Sequence, residues 1–231
     1  MVKFFLTGGF LRDRLLNIPS KDLDYAVEAS SYQEMKQAII ERDGEIFLET
    51  EKYLTIRARI PKFGAADFVL CRKDGTYIKD RRRPDFVEIG TLFDDLSRRD
   101  ATINALAEDE NGNIIDFFNG LQHLKEKRLV CVGNPQDRIK EDALRGIRFL
   151  RFSITKGFWI DDSVKEILCD NSFVDLLNNI SSERIRDELL KMFSYDTFKS
   201  IQILNEYTLI KEKIFKNKNF GIWLCPSMKE I

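Results

Sequence analysis

The sequence is poor in the residues that build metal cages and covalent frameworks. It has one histidine, His123, and four cysteines, Cys71, Cys131, Cys169 and Cys225, scattered over 231 residues. One histidine argues against a zinc cage and against a histidine-based catalytic triad. The cysteine spacing fits neither a zinc pattern nor a disulfide framework, so reduced thiols of the cytoplasmic kind are expected. No run of 18 apolar residues occurs, which excludes an obvious transmembrane span. The chain starts almost directly on an apolar run, so no cleaved leader is expected. Net charge is also lacking: 37 basic and 38 acidic side chains leave −1. A protein that coats nucleic acid is basic overall, so any RNA contact must use a local patch. Internal repeats and low-complexity tracts are absent. What remains is 43% apolar, enough for a core in one large domain or two small ones.

The most informative stretch lies within the first two dozen residues. Phe4-Phe5-Leu6 reads as a buried strand. Gly8-Gly9 then permits a tight turn into a helix carrying Leu11, Leu15 and Leu16. Bare amides at such a helix start bind anions. After Pro19-Ser20 comes Asp22-Leu23-Asp24, leading into a strand through Tyr25-Ala26-Val27. Residues i and i+2 of a strand point to one side, so Asp22 and Asp24 converge and can share a divalent metal. Phosphate-binding amides beside paired carboxylates describe a site for a nucleoside triphosphate with Mg2+. Gly-Gly alone is commonly a plain turn, and Asp-x-Asp alone a solvated strand edge. The combination, with Arg12 and Asp13 between, favours the functional reading.

The stretch resembles the signature of the nucleotidyltransferase superfamily that includes DNA polymerase beta. Its fuller form, Gly8-Gly9-x-x-Arg12-Asp13-x-Leu15-Leu16 followed by Asp22-x-Asp24, is similar to the class II tRNA nucleotidyltransferase and bacterial poly(A) polymerase branch.

Along the chain, Ser31 and Glu34 form a capping-box pattern ahead of a helix over 31–42, with Met35, Ala38 and Ile39 as its apolar stripe. Residues 45–48, 53–60 and 65–71 read as strands joined by short connections, suited to antiparallel pairing. Asp67 lies in the last of these. It is a candidate third carboxylate that could accept the proton of an attacking hydroxyl; the alternative is a strand-edge aspartate paired to an arginine. Residues 72–93 are polar and turn-rich and hold Arg81-Arg82-Arg83, which reads as a mobile loop with phosphate contact or plain solvation as the two options. In the resembled family a flexible loop stands here, and its full length leans toward an enzyme that adds A as well as C.

Asp94-Asp95-Leu96-Ser97-Arg98-Arg99-Asp100-Ala101-Thr102-Ile103-Asn104-Ala105-Leu106-Ala107 resembles the family's DL-x-RRD-x-TINA motif, departing at Ala101, where a bulky residue is usual. Arg99 offers a rigid fork of donors for triphosphate oxygens. Asp100 could accept a hydrogen bond from a ribose hydroxyl, and Arg98 could staple a helix through an aspartate. Residues 108–113 read as a hairpin turn, 114–116 as its return strand, and 129–132 as the last strand of a first domain ending near residue 135.

Beyond Pro135 the pattern reads as helical, with Asn134 as cap. Asp142, Arg145, Arg148 and Arg151 recur every three residues, a slowly drifting ridge on a helix over 143–155. Charge pattern alone reads this as a solvated basic face. The resemblance gives another reading, because Glu141-Asp142-x-x-Arg145 is similar to the class II base-recognition template. Asp142 as acceptor and Arg145 as donor suit cytosine and adenine and mismatch uracil and guanine. Arg148 and Arg151 would hold phosphates or the far edge of the base. Ser181-x-Glu183-Arg184-Ile185-x-x-Glu188-Leu189 resembles a family element with a structural role in the neck. Phe220, Trp223 and Leu224 read as core.

The fold expected is therefore α+β, a small mixed-sheet nucleotidyltransferase head (1–135) followed by an all-helical neck and a truncated body (136–231). The resemblance implies a cytoplasmic enzyme, with no membrane, that adds CCA to the 3′ end of tRNA from CTP and ATP. It implies Mg2+ on Asp22 and Asp24, and Gly9, Arg12 and Arg99 facing negative charge. The competing readings are a poly(A) polymerase or an enzyme adding part of CCA, a small-molecule nucleotidyltransferase, and a non-catalytic RNA-binding module. The family's longer helical body has no room here beyond a stub, so a homo-oligomer or another partner would have to supply the missing RNA-gripping surface.

Overall fold

The computed structural model describes residues 1–75 and 87–216. The arginine cluster at 81–83 and the terminal aromatics Phe220 and Trp223, with Leu224, lie outside them. The elements in order are β1 (Lys3–Thr7), α1 (Gly8–Leu15), β2 (Leu23–Glu28), α2 (Tyr32–Ile40), β3 (Glu45–Thr50), β4 (Thr55–Ile60), β5 (Gly64–Leu70), β6 (Arg72–Asp74), β7 (Val87–Ile89), α3 (Leu92–Ser97), β8 (Leu106–Glu108), β9 (Ile114–Asp116) and α4 (Gly120–Lys125), then β10 (Arg128–Leu129), α5 (Pro135–Glu141), α6 (Leu144–Lys156), β11 (Trp159–Ile160), α7 (Asp162–Leu168), α8 (Asn171–Leu176), α9 (Ser182–Tyr195), α10 (Thr197–Glu206) and α11 (Thr208–Lys216).

The first compact unit ends at Leu124. Its centre is a seven-stranded mixed sheet in the order β3-β4-β5-β2-β1-β8-β9. The apolar run Phe4-Phe5-Leu6 makes β1 an inner strand, antiparallel to β2 on one side and to β8 on the other. Short connections give antiparallel β3/β4 and β4/β5 ladders, whereas β5 joins β2 in parallel. An aromatic cluster fixes that junction: Tyr25 stacks on Phe68 at 5.3 Å and on Phe63 at 4.8 Å, and Phe4 meets Phe68 edge-on at 5.8 Å. Phe4 and Phe68 are fully buried. Helix α2 starts as its sequence indicates, with Ser31 accepting from the Glu34 amide. The Glu34 carboxylate, however, accepts from Ser30 rather than from the Ser31 backbone. Strands β6 and β7 pair as a two-stranded ribbon at the ends of the segment read as a loop.

The second unit takes the rest of the described chain from Lys125. The boundary therefore falls earlier than residue 135, and the segment at 129–132 is strand only at its start. The reason is the pairing: Arg128 and Leu129 lie parallel to Trp159 and Ile160, which come after α6. That pairing also interrupts the run expected to be wholly helical. Asn134 caps α5 by accepting from Gln136, with Pro135 in the first turn. Helix α6 begins at Leu144, not earlier, because Asp142 is extended (φ −149°, ψ 100°) and breaks α5 from α6. Asp142 thus lies outside the helical ridge that its spacing suggests. Helix α6 packs on α9, with Ile147, Leu150, Ile185, Leu189 and Met192 fully buried. Gly146 lets α6 approach its neighbours: a β-carbon there would fall 2.4 Å from the Phe173 ring and 2.8 Å from Leu168.

Gly146→Ala gains about 1 kcal/mol of helix propensity but forces a buried ring to move, an overpacking cost of about 1–3 kcal/mol. The expected outcome is a lower urea midpoint. An unchanged or higher midpoint would show that Phe173 yields without strain.

Candidate active site

The site in the first unit is built on one row across the sheet. Arg57 on β4 faces Asp67 on β5, Asp67 faces Asp24 on β2, Asp24 faces Thr7 at the end of β1, and Thr7 faces Ala107 on β8. Parallel β5/β2 pairing puts two aspartates side by side on one face, which sequence spacing alone does not show. Asp67 also has a contact at 3.5 Å from the Arg57 guanidinium. Asp67 thus neighbours Asp24 and is also paired to an arginine. Asp22 stands exposed two residues before Asp24.

Burial raises the Asp24 carboxyl above its ordinary range, and the charges of Asp67 and Asp22 raise it further, while Arg99 and Arg57 oppose them. Such an arrangement leaves negative charge that a cation would relieve. Among the described residues no group of three or more His, Cys, Asp or Glu side chains stands close enough to hold a metal ion. Carboxylate oxygens of the kind Asp22 and Asp24 offer are the ligands a hard cation prefers.

Helix α1 starts beside this row. Its N-cap residue, Thr7, spends its hydroxyl on the Leu106 carbonyl at 2.7 Å, and no side chain caps the first turn. No acidic residue lies in that turn either. The opening amides of Gly8 and Gly9 thus keep the anion-binding character of a helix start. Gly8 has φ +74°, and a β-carbon on it would lie 3.3 Å from the Asp24 carboxylate and 3.2 Å from the Arg99 guanidinium. Gly8, Asp24 and Arg99 therefore meet at one point.

Arg99 is held there by Asp95, which opens the DL-x-RRD motif and to which the resemblance assigned no role of its own. Asp95 is 1% exposed and accepts from Arg99 at 3.1 Å and from Arg98 at 3.0 Å. Burial opposes its ionisation, yet the charges of Arg99 and Arg98 and their hydrogen bonds hold its carboxyl below the ordinary range. The signal was available in the spacing, because Asp95 lies three and four residues before the two arginines on a helix. Arg98 accordingly does staple α3.

Arg12 and Asp100 are more deeply placed than their expected contacts with nucleotide suggest. Arg12 is 6% exposed and donates to Asp13 at 2.8 Å and to Asn104 at 2.6 Å. Asp100 is 7% exposed and accepts from the Ala101 amide at 2.7 Å and from Asn104 at 2.8 Å. Ala101, where a bulkier residue is usual, is fully buried.

In the second unit, the ridge of charged residues is not a solvated face. Arg145 is 8% exposed and donates to Glu141 at 2.8 Å and to the Arg138 carbonyl at 2.9 Å. Asp142 accepts from the Leu144 amide and pairs at 2.7 Å with Arg184 of α9. Arg151 pairs with Glu188 of α9 and lies 4.2 Å over the Phe152 ring, with Arg148 5.6 Å from the same ring. Arg184 and Glu188, one helical turn apart, thus clamp α9 to Asp142 and to Arg151 of α6, which fits the structural role expected of their motif.

Comparison with known proteins follows this geometry. Residues 4–130 match the model of the poly A polymerase head domain, and residues 157–216 match that described as "Probable RNA and SrmB-binding site of polymerase A". The chain belongs to the poly A polymerase head domain family. The CCA-adding enzyme of Streptococcus uberis is 39% identical over 196 residues, which are 84% of this chain and 46% of that protein. The Bacillus stearothermophilus CCA-adding enzyme in complex with CTP superposes with a TM-score of 0.76 at 30% identity, covering 90% of this chain and 49% of that one. The Thermotoga maritima CCA-adding enzyme complexed with tRNA gives 0.74 at 25% identity, covering 94% and 49%. The chain spans about half the length of the curated relatives it matches. Among the described residues, no helix is long and apolar enough to cross a membrane.

Two outcomes follow from the site geometry. Gly8→Ala strains a left-handed position at a cost of about 1 kcal/mol and displaces Asp24 and Arg99, so CTP binding measured by titration calorimetry should weaken by far more than stability falls. Asp95→Asn should cost about 2 kcal/mol near neutral pH. Because the folded carboxyl titrates below its ordinary value of 3.8, its contribution is present above that pH and is lost as pH falls through the folded value. The gap between wild type and Asp95→Asn in urea unfolding should therefore close on acidification; a gap that stays constant would show that the charge of Asp95 is not what matters.

Proposed function

We propose that this chain is a template-independent RNA nucleotidyltransferase that adds CMP, CMP and AMP to the 3′ end of tRNA, using CTP and ATP and releasing pyrophosphate. The observation that carries the reading is the uncapped start of α1 set against Asp24 and Arg99. Its occurrence in a chain 39% identical to a CCA-adding enzyme supports this choice of substrates.

Asp22 and Asp24 would hold Mg2+. Bound there, the ion supplies Lewis-acid activation of the RNA 3′-hydroxyl and neutralisation of the triphosphate. The chain's own groups do the rest. The Gly8 and Gly9 amides and Arg99 receive the phosphate oxygens as charge develops on them. Asp67, the neighbour of Asp24 on β5, takes the hydroxyl proton in this reading. Arg12, buried behind the helix start, contributes positive charge and rigidity rather than direct contact. In the second unit, Asp142 accepts from the exocyclic amine of cytosine or adenine, and Arg145 donates to the adjacent ring nitrogen. The Asp142–Arg184 pair orients that carboxylate. Arg148 and Arg151 line the far edge of the base. The alternative, open-ended AMP addition, is favoured by the poly A polymerase description of both family models.

A denaturing gel separates the two. Labelled tRNA lacking its 3′ CCA is incubated with the chain, magnesium and CTP, ATP or both. Two additions with CTP and one more with ATP are expected; an ATP ladder would instead establish poly(A) synthesis, and arrest after CC a partial enzyme. Asp22→Ala should lower extension at least about a thousandfold with an unchanged circular dichroism spectrum. Retained activity would remove Asp22 from the site.

A further inference from the structure

Arg12 leads into a buried polar relay whose other members, Asn104 and Asp100, have no part in the reaction scheme above. Arg12 of α1 donates through Nη1 to Oδ1 of Asn104 at 2.6 Å, and Nδ2 of Asn104 donates to Oδ1 of Asp100 at 2.8 Å. All three side chains are at most 7% exposed. Arginine has only donors and an ionised carboxylate only acceptors. The group that joins them must accept on one side and donate on the other. A primary amide does this. An aspartate at 104 would satisfy Arg12 but turn an acceptor toward Asp100, and an aliphatic residue would leave both charged partners short of a bond in a buried place.

The relay also joins two distant stretches of sequence. Arg12 belongs to the helix whose first amides face phosphate, and Asp100 to the motif that supplies Arg99. Thr7, the N-cap of that same helix, donates to Leu106, two residues beyond Asn104. The segment from Asn104 to Leu106 is therefore tied to α1 twice, at Arg12 and at the N-cap residue Thr7.

We propose that Asn104 is a positioning residue for sugar selection: it fixes the Asp100 carboxylate relative to the phosphate-binding helix, so that the ribose 2′-hydroxyl finds its acceptor while the triphosphate is held. This rests on the reading of Asp100 as the ribose acceptor. Loss of the relay loosens Asp100 without touching the phosphate amides, so binding of ribonucleotides falls toward that of deoxyribonucleotides.

The test is equilibrium binding of CTP and dCTP, with magnesium, to the full chain and to Asn104→Asp, Asn104→Ser and Asp100→Ala. The wild type should prefer CTP, and Asn104→Asp should lower the CTP-to-dCTP affinity ratio by about fivefold or more, the equivalent of one lost hydrogen bond. Asn104→Ser, a milder change, decides the matter if the aspartate variant does not fold. A ratio that stays at the wild-type value in the Asn104 variants while Asp100→Ala loses it would overturn the role of Asn104 and leave Asp100 as the ribose acceptor. A ratio unchanged in Asp100→Ala as well, or no preference in the wild type, would overturn the underlying reading itself. Equal weakening of both nucleotides would mark Asn104 as merely structural, which also overturns the proposal.

Discussion

The head depends on one constraint: two aspartates, Asp24 and Asp67, are made neighbours by a parallel strand pair in the middle of a sheet. Like charges side by side in a partly buried place raise the cost of ionisation, and the surroundings answer that cost with Arg57 on one flank and Arg99 on the other. Tyr25 and Phe68 stack on the same strand pair, with Phe63 from the turn before β5 against Tyr25, and this cluster holds the register. A slip of one residue there would send Asp24 to the other face. Packing energy thus sustains an electrostatic arrangement that would not assemble by itself.

Around that row, the two sequence motifs of the head meet through buried polar contacts rather than through packing alone. Thr7 to Leu106, Arg12 to Asn104 and Asp95 to Arg99 each tie a functional element to its support. Each is buried or nearly so, where hydrogen bonds to charged groups are stronger and an unmade bond is costly. The opening amides of α1, by contrast, are left without a side-chain cap. The site therefore combines rigid support with an unsatisfied surface, the combination required for preorganised recognition of an anion.

The second unit follows the same logic. Asp142 leaves the helical path, and its extended backbone lets the carboxylate accept the Leu144 amide while meeting Arg184. Arg151 and Glu188 repeat the connection farther along α6 and α9. Groups able to read a base edge are so held by a second helix, which limits the entropy lost on binding.

Local pattern determined a good part of this protein. The Phe4–Leu6 strand, the glycine turn into α1, the Ser31 and Asn134 caps and the β8–β9 hairpin were all legible, because each depends on neighbours within a few residues. The same holds for the arginine staple of α3, whose aspartate lies within one helical turn. Tertiary structure alone decided that Asp67 stands beside Asp24, that Arg12 is buried against Asn104, that Arg184 and Glu188 clamp Asp142 and Arg151, and that the strand at Arg128 pairs with Trp159 and shifts the boundary. Each of these joins residues from 30 to more than 90 positions apart, through strand register or through the bond requirements of buried charges. Neither leaves a period in the sequence, so only the folded chain brings them together.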